Sequence, residues 1–346
     1  MRRDTLAAVK SRQLISGVAL ALAMAACKPS SVADAEASGN VAWLDTEASP
    51  SAIEALGRLA DTNPAAVSAL QEHTQFGVQA YIAAWGGVKR GAKWGGDMLH
   101  AGLQDPSRAN DVASAVDGRD PVIVPFLPDI EGSLSRLAAG VTTSSLAAVL
   151  ASAGKASHDA VVRRLADKAT RGAMCGGIAS PVADADARST LRNVPAESRD
   201  DASCVGAVVT LAATDDATMR WLAQAAEPGL LGAASKLPTL DCVRLHRVWA
   251  DALAARDSTQ AAALAVPLSN AVKRCPAQLD GVLADALRSR PDAQAAVTGA
   301  LDPFSPDDAQ LKATCAALPM VATGRATPIA KERAADTLAH GCKGTP

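Results

Sequence analysis

The chain has 346 residues and a formal net charge of −2, and this lack of basic excess argues against nucleic acid as a partner. Hydrophobic residues make up 49% of the chain but aromatic residues only 3%, and alanine alone accounts for 78 residues. Because Ala and Leu favour helices whereas strands favour β-branched and aromatic residues, the composition predicts an almost entirely helical protein.

The N-terminus has the features of a secretory signal peptide. Four basic residues lie among the first twelve, and 13 apolar or small residues follow from Leu14 to Ala26. This run is shorter than the roughly 20 apolar residues that cross a bilayer, and it ends in the small residues typical of a cleavage site. We therefore predict a cleaved signal peptide over residues 1–26.

The end of this run carries a more specific motif. Met24-Ala25-Ala26-Cys27 resembles the lipobox of bacterial lipoproteins, although leucine is the usual residue where Met24 stands. The resemblance implies cleavage just before Cys27 and a diacylglycerol on its thiol, so that Cys27 anchors the chain in a lipid membrane. Lys28 is not the aspartate that retains many such lipoproteins at the inner membrane, so the resemblance implies the outer membrane. The alternative is ordinary cleavage at Ala23-Met24-Ala25, which would leave a soluble protein with a free thiol.

Small and polar residues dominate the next segment. Between residues 27 and 48, Trp43 and Leu44 are the only large apolar residues that stand together. A segment of this composition buries too little apolar surface to offset its ordering entropy. We therefore predict a flexible tether over residues 27–48.

From residue 49 onward, the sequence predicts short helices. Proline repeatedly follows a residue that can cap a helix, which is typical of a first helical turn; the pairs are Ser49-Pro50, Asn63-Pro64, Asp105-Pro106, Asp120-Pro121, Ser180-Pro181 and Ser305-Pro306. Apolar stripes at helical spacing lie between these starts, with short connections that favour antiparallel hairpins. Val122-Ile123-Val124-Pro125-Phe126 is the exception and leaves a short extended piece open.

Chains of hairpins that bury their faces only against neighbours form α-solenoids. SPSAIEALGRLADTNPAAVSALQ, residues 49–71, resembles a HEAT-type unit, with one helix, an Asn-Pro turn and a second helix. The resemblance implies an all-α, HEAT-like α-solenoid of stacked antiparallel hairpins; a compact helical bundle is the alternative. We place a boundary near residue 170, between an N-terminal helical region, 49–170, and C-terminal repeats, 171–346.

One glycine-rich stretch stands apart: AYIAAWGGVKRGAKWGGDMLHAGL, residues 80–103. Trp-Gly-Gly occurs in it twice, and Gly87, Gly91 and Gly95 would form a smooth strip on one continuous helix. Since each glycine costs about 1 kcal/mol relative to alanine in a helix interior, the strip needs an explanation. One interpretation is close packing against another helix. The other is a partner- or lipid-binding site formed by aromatic and basic side chains: Trp85, Lys89, Arg90, Lys93 and Trp94.

Six cysteines follow Cys27, and an even number in an exported chain suggests disulfides. Their spacings are 29, 38, 33, 40 and 27 residues, so short and long gaps alternate. Two antiparallel helices return the chain to its starting level after roughly 30 residues, so a cysteine early in one helix should lie beside one late in the next. This predicts Cys175–Cys204, Cys242–Cys275 and Cys315–Cys342, with an internal repeat of about 70 residues; six unpaired buried thiols are the alternative.

No motif for catalysis or metal binding stands out. The sequence has no CxxC, GxSxG, HExxH, phosphate loop or GxGxxG, and its five histidines are not at ligand spacing. Three acidic doublets, Asp200-Asp201, Asp215-Asp216 and Asp307-Asp308, fall near expected helix starts, where carboxylates favour the positive end of the helix dipole. We expect no catalytic residue, cofactor or metal.

Three classes of function fit these observations. The first is a lipid-anchored, non-catalytic scaffold that binds another protein of the bacterial cell envelope. The second is a structural or assembly subunit of an envelope complex. The third is an enzyme or small-ligand binder with a dispersed site, which a deep pocket ringed by Asp, His and Arg would favour.

Overall fold

The computed structural model describes residues 29–74, 77–137, 141–192, 202–225, 227–254, 263–301 and 310–342. These ranges contain 21 α-helices, two 3-10 helices and no strand, so the predicted all-α class is confirmed. The chain divides into two compact units between Arg136 and Leu137. The predicted signal peptide and Cys27 lie outside the described residues.

The first unit is a stack of helices in two layers. Its helices are α1 (Val32–Ala37), α2 (Val41–Glu47), α3 (Pro50–Leu59), α4 (Pro64–His73), α5 (Val78–Lys89), α6 (Lys93–Gln104), α7 (Ala109–Ala115), the 3-10 helix Pro121–Phe126 and α8 (Leu127–Arg136). In one layer α1 packs on α3, α3 on α5 and α5 on α7; in the other α2 packs on α4 and α6 on α8. Most of these helices thus lie beside the next but one in the chain, which is the arrangement of stacked antiparallel hairpins in an α-solenoid.

The second unit repeats this arrangement over more helices. They are α9 (Val141–Ser152), the 3-10 helix Gly154–Ser157, α10 (His158–Ala166), α11 (Lys168–Ala179), α12 (Ala185–Arg192), α13 (Ala202–Ala212), α14 (Asp216–Ala225), α15 (Pro228–Lys236), α16 (Cys242–Ala254), α17 (Ala265–Arg274), α18 (Pro276–Ser289), α19 (Pro291–Ala300), α20 (Lys312–Thr323) and α21 (Pro328–His340). The odd-numbered helices from α9 to α21 pack in succession, and so do α14, α16, α18 and α20. The predicted boundary near residue 170 falls in the first turn of α11, inside this unit.

The predicted tether over residues 27–48 is wrong for most of its length. Two short helices, α1 and α2, occupy residues 32–47, and both pack on α3. Ser31 and Asn40 cap them by accepting hydrogen bonds from the backbone N–H groups of Asp34 and Trp43. Leu44 is completely buried, and burying one leucine contributes about 2 kcal/mol. The amino-acid composition did not predict this packing, because only a few side chains, chiefly Ala35 and Leu44, are buried by it.

The proline pairs predict helix starts at three places and fail at two. Ser49, Asn63 and Asp120 each accept a hydrogen bond from a backbone N–H at the start of α3, α4 and the first 3-10 helix. Asp105 instead follows the end of α6, and its carboxylate binds the N–H of Ser107 in a tight turn before α7. Ser180-Pro181 likewise lies in the turn between α11 and α12. Ser305-Pro306 lies outside the described residues.

Two further short segments form a 3-10 helix and a helix cap. Residues 122–126, where the sequence allows a short extended piece, belong to the 3-10 helix Pro121–Phe126 of the first unit. Asp215 caps α14 by accepting hydrogen bonds from the N–H and hydroxyl of Thr218, as expected for an acidic doublet at a helix start. The other two acidic doublets, at 200–201 and 307–308, lie outside the described residues.

All three predicted disulfides are confirmed, with Cα–Cα distances of 4.9, 5.6 and 5.7 Å. The geometry behind two of them differs from the prediction. Cys175–Cys204 joins α11 to α13, and Cys242–Cys275 joins the start of α16 to the residue before α18. Both disulfides link neighbouring helices of one layer. Within a layer, each of these helices runs alongside the next helix but one in the chain, so the two cysteines lie at the same level. Cys315–Cys342 joins α20 to the residue after the end of α21 and its C-cap, as expected within one hairpin.

The repeat of about 70 residues holds for only part of the cysteine pattern. Cys242 in α16 and Cys315 in α20 lie in the same layer, two hairpins apart. Cys175 lies in α11, which belongs to the other layer. The similar spacing from Cys175 to Cys242 is therefore not a structural repeat.

Polar side chains also link adjacent helices of one layer. His73 of α4 binds Asp45 of α2 at 2.9 Å, and His158 of α10 binds Asp186 of α12 at 2.7 Å. His100 of α6 binds Asp129 of α8 in the same way. Each pair is 28 or 29 residues apart, which is one hairpin along the chain. Three of the five histidines therefore have a structural partner in the neighbouring hairpin.

Glycine lets helix backbones approach closely where the layers form. A Cβ added to Gly177 of α11 would lie 2.5 Å from the carbonyl carbon and 2.7 Å from the oxygen of Ala147 in α9. A Cβ added to Gly57 of α3 would lie 2.8 Å from the Cβ of Ala83 in α5. Real Cβ atoms do not come this close to other atoms, so these helix pairs require glycine at these positions.

We predict that Gly177→Ala destabilises the protein and that Gly176→Ala does not. The added methyl of Gly177→Ala meets the backbone of α9, and overpacking of this kind costs about 1–3 kcal/mol. A Cβ at the adjacent Gly176 meets nothing within 4 Å, so alanine there should gain about 1 kcal/mol through helix propensity. Chemical denaturation with the disulfides intact measures both effects. Equal unfolding midpoints for the two variants would contradict the close approach of α9 and α11.

Candidate functional site

The glycine-rich stretch at residues 80–103 is a hairpin of two helices. α5 ends at Lys89 and α6 begins at Lys93. Gly91 lies in the turn between them with a φ of +80°, a left-handed conformation that favours glycine. The N–H of Ala92 binds the carbonyl of Gly87 and the N–H of Gly91 binds that of Val88, which closes α5 as a Schellman motif. The predicted strip of three glycines on one helix is therefore wrong.

Each of the other two glycines packs closely against the opposite helix of this hairpin. A Cβ added to Gly95 would lie 2.4 Å from the carbonyl oxygen of Ala84, and one added to Gly87 would lie 2.7 Å from the indole of Trp94. Close packing between α5 and α6 thus accounts for Gly87 and Gly95. Helix termination accounts for Gly91.

Trp85 and Lys89 lie on the side of α5 that faces the first 3-10 helix. Trp85 is only 6% exposed, and its indole meets the ring of Phe126 edge-on at 6.4 Å between centroids. The Lys89 ammonium lies 5.4 Å from the centre of the Trp85 ring and 2.9 Å from a carboxylate oxygen of Asp120. The indole Nε1–H has no hydrogen-bond partner in the described part of the chain. Trp85 is thus a core residue that Lys89 partly covers.

Arg90 and Trp94 converge on one carboxylate, Asp61, in the turn after α3. Arg90 donates to its two oxygens at 2.7 and 3.2 Å and to the carbonyl of Gly57 at 2.9 Å. The indole N–H of Trp94 donates to Asp61 at 2.9 Å. The Arg90 hydrogen bond, with a smaller contribution from Trp94, lowers the pKa of Asp61 although burial raises it. We call these three side chains the Asp61 cluster; it fastens the ends of α3, α5 and α6 together.

Lys93 is separate from both groups. Its side chain is 87% exposed and contacts Asp97 one helical turn further along α6. The structure therefore distributes the five predicted binding residues over three places: a core contact, the Asp61 cluster and an exposed ion pair. Besides binding Asp61, the Arg90 side chain also lines a groove on the protein surface.

This groove lies between α3 and α5 and has a volume of about 410 Å³. Its floor is made of small residues, including Gly57, Ala83 and Gly86, and Ile82 is 44% exposed in its wall. Three charged side chains also line it: Glu54, Arg58 and Arg90. We call it the α3–α5 groove.

The charges along the groove are held in place by internal partners. Arg58 donates to both carboxylate oxygens of Glu36 in α1, at 2.5 and 2.8 Å, and to Glu54 at 2.8 Å. The Arg58 hydrogen bond lowers the pKa of Glu36 against the opposing effect of burial. Fixed charges beside an exposed isoleucine can orient a peptide that places an apolar side chain on the groove floor.

Sequence reasoning missed Ile82, Glu54 and Arg58. The groove depends on α3 and α5 lying side by side, although α4 separates them in the chain. The available signal was the small residues Gly57 and Gly86, which lie on the facing surfaces of two helices that are each otherwise well packed.

A second groove, of about 380 Å³, lies between α16 and α18 in the other unit. Its lining includes His246, Asp285 and Arg290, the residue types that an enzyme or small-ligand site would bring together. The Asp285 side chain is 81% exposed and the Arg290 guanidinium binds the carbonyl of Leu253. This is an open surface groove rather than a deep pocket.

Comparisons with protein-family models, with curated proteins and with solved structures found no match for this chain. Within the described ranges, no group of three or more His, Cys, Asp or Glu side chains could hold a metal ion. None of the helices in these ranges is both long enough and apolar enough to cross a bilayer.

We predict that Asp61→Asn lowers stability by about 1 kcal/mol at neutral pH, because it removes the charge that Arg90 and Trp94 bind. Since the folded-state pKa is lowered from an ordinary value of 3.8, this contribution is complete above about pH 4 and is lost as the pH falls below that value. The difference in unfolding free energy between wild type and variant should therefore shrink in acid. Asp97→Asn is the control, since within the described residues Asp97 forms an ion pair only with the exposed Lys93.

A loss from Asp97→Asn as large as that from Asp61→Asn would contradict the role of the Asp61 cluster. So would a difference that persists unchanged at pH 3.

Proposed function

We propose that this protein is a bacterial lipoprotein, anchored by an acylated Cys27, whose helical stack is a non-catalytic scaffold for another protein of the cell envelope. The lipobox-like Met24-Ala25-Ala26-Cys27 and the signal peptide before it support the anchor. Three disulfides support an oxidising compartment outside the cytoplasm. Lys28 favours the outer membrane, and the likeness of residues 49–71 to a HEAT unit is consistent with protein binding.

The observation that carries the scaffold function is the α3–α5 groove. Repeat proteins bind partners along the surfaces that their successive hairpins leave open. Here Ile82 is exposed between ordered charges at a place where small residues make room for a partner's side chain. An apolar anchor surrounded by polar groups is the usual centre of a protein interface.

Affinity capture from chemically crosslinked envelopes tests the groove. We expect Ile82→Arg to reduce recovery of the partner by about tenfold, because a charge would replace the apolar contact. Val124→Arg is the matched control, since Val124 is 48% exposed in the same unit but lies outside the groove. The control should capture the same partner at the wild-type level.

Equal recovery with Ile82→Arg and Val124→Arg would contradict binding at the α3–α5 groove. A partner recovered only within a defined multi-subunit complex would favour the structural-subunit function instead.

Mass spectrometry of the mature N-terminus tests the anchor. We expect the wild-type chain to begin at Cys27 with acyl chains attached and to float with outer-membrane vesicles. Cys27→Ala should abolish acylation and release the protein from membranes, because the acyl chains supply about 0.8 kcal/mol for each buried methylene. An unmodified mature chain that begins after Ala25 would contradict the proposal.

A further inference from the structure

The proposed anchor at Cys27 lies only a few residues before packed structure in the chain. Cys27 precedes Val32, the first residue of α1, by five residues, which span about 17 Å at most when fully extended. A tether over residues 27–48 would instead reach roughly 70 Å. The link between a lipid at Cys27 and the first helix is therefore short.

The hairpin of α1 and α2 is held to the rest of its unit in both layers. α1 packs on α3, and its Glu36 forms the two-oxygen contact with Arg58. α2 packs on α4, and its Asp45 binds His73 at 2.9 Å. Leu44 and Ala35 are completely buried. With contacts in both layers, the hairpin moves with the stack rather than as a linker.

The α1–α2 hairpin is acidic, so electrostatic attraction to anionic lipids does not hold it near a membrane. Residues 29–48 contain four acidic residues and no lysine or arginine, and Glu36 and Asp45 are already paired internally. Such a surface has no attraction for anionic lipid headgroups. The hairpin itself then adds no attraction to the headgroups, so we expect the acyl chains to supply the attachment and the hairpin to act as a spacer.

We propose that the α1–α2 hairpin is a rigid stem that holds the first unit against the surface of a lipid bilayer. This inference rests on the acylation of Cys27 proposed above. Neighbouring helices are 8–10 Å apart, so the α3–α5 groove, which shares Arg58 with the stem, lies within about 40 Å of the headgroups. The partner of the groove must therefore present its binding segment within about 40 Å of the membrane surface.

Energy transfer on vesicles tests the stem. The full-length protein is purified from cells as they process it and carries a dye at Ala37→Cys, an exposed position at the end of α1, with its disulfides intact. The vesicles contain phosphatidylethanolamine and phosphatidylglycerol with a headgroup-labelled acceptor lipid. A Gly/Ser insertion of about 20 residues between Lys28 and Pro29 adds about 25 Å of root-mean-square length. The same insertion after Pro346 is the control.

We expect strong transfer in the wild type and in the C-terminal control, and at least about a twofold drop with the N-terminal insertion. Leu44→Asp, which releases α2 from the core, should lower transfer in the same direction. High salt should not detach the protein, because the stem carries no basic residue. If the wild type and the N-terminal insertion variant both bind vesicles and show equal energy transfer, the stem proposal is wrong, whereas the proposal that Cys27 is acylated still stands. Absence of vesicle binding in every variant would overturn acylation, and the stem with it.

Discussion

Close approach of helix backbones is the constraint on which the rest of this structure depends. The chain has many alanines and few aromatic residues, so its helices gain packing contacts by coming near one another rather than by interlocking large side chains. Gly57 against Ala83 and Gly177 against Ala147 set the spacing of α3–α5 and α9–α11, one pair in each unit. Both pairs join helices of one layer, so close approach is what lets successive hairpins stack.

The same spacing creates the candidate site. Where small residues line both helices, as along α3 and α5, the surface between them is left as a groove. Charged side chains then secure the edges: Arg58 reaches α1, and Arg90 reaches the turn after α3. These links hold the helices in register, and they leave Ile82 exposed beside ordered charges. Packing and proposed binding thus have one physical origin.

The helical class, the hairpins and all three disulfide pairs could be predicted from the sequence, because composition, helical periodicity and cysteine spacing are local signals. The α1–α2 hairpin could not be predicted from the sequence. Its composition is that of a linker, but two helix caps and the burial of Leu44 stabilise it as packed structure. The glycine strip failed because Gly91 ends a helix. The α3–α5 groove was missed because it joins helices that are not consecutive. Of the predicted binding residues, Arg90 alone lines it.

A double-mutant cycle at Gly57 and Ala83 tests the close approach most directly, because the clash would be between two side-chain methyl groups. Gly57→Ala alone should cost about 1–3 kcal/mol of unfolding free energy, and Ala83→Gly alone about 1 kcal/mol. The double variant should be more stable than the sum of these losses by about 1 kcal/mol or more, since the second change removes the obstruction. Strictly additive losses would show that α3 and α5 do not meet at this point and would contradict the stacking described.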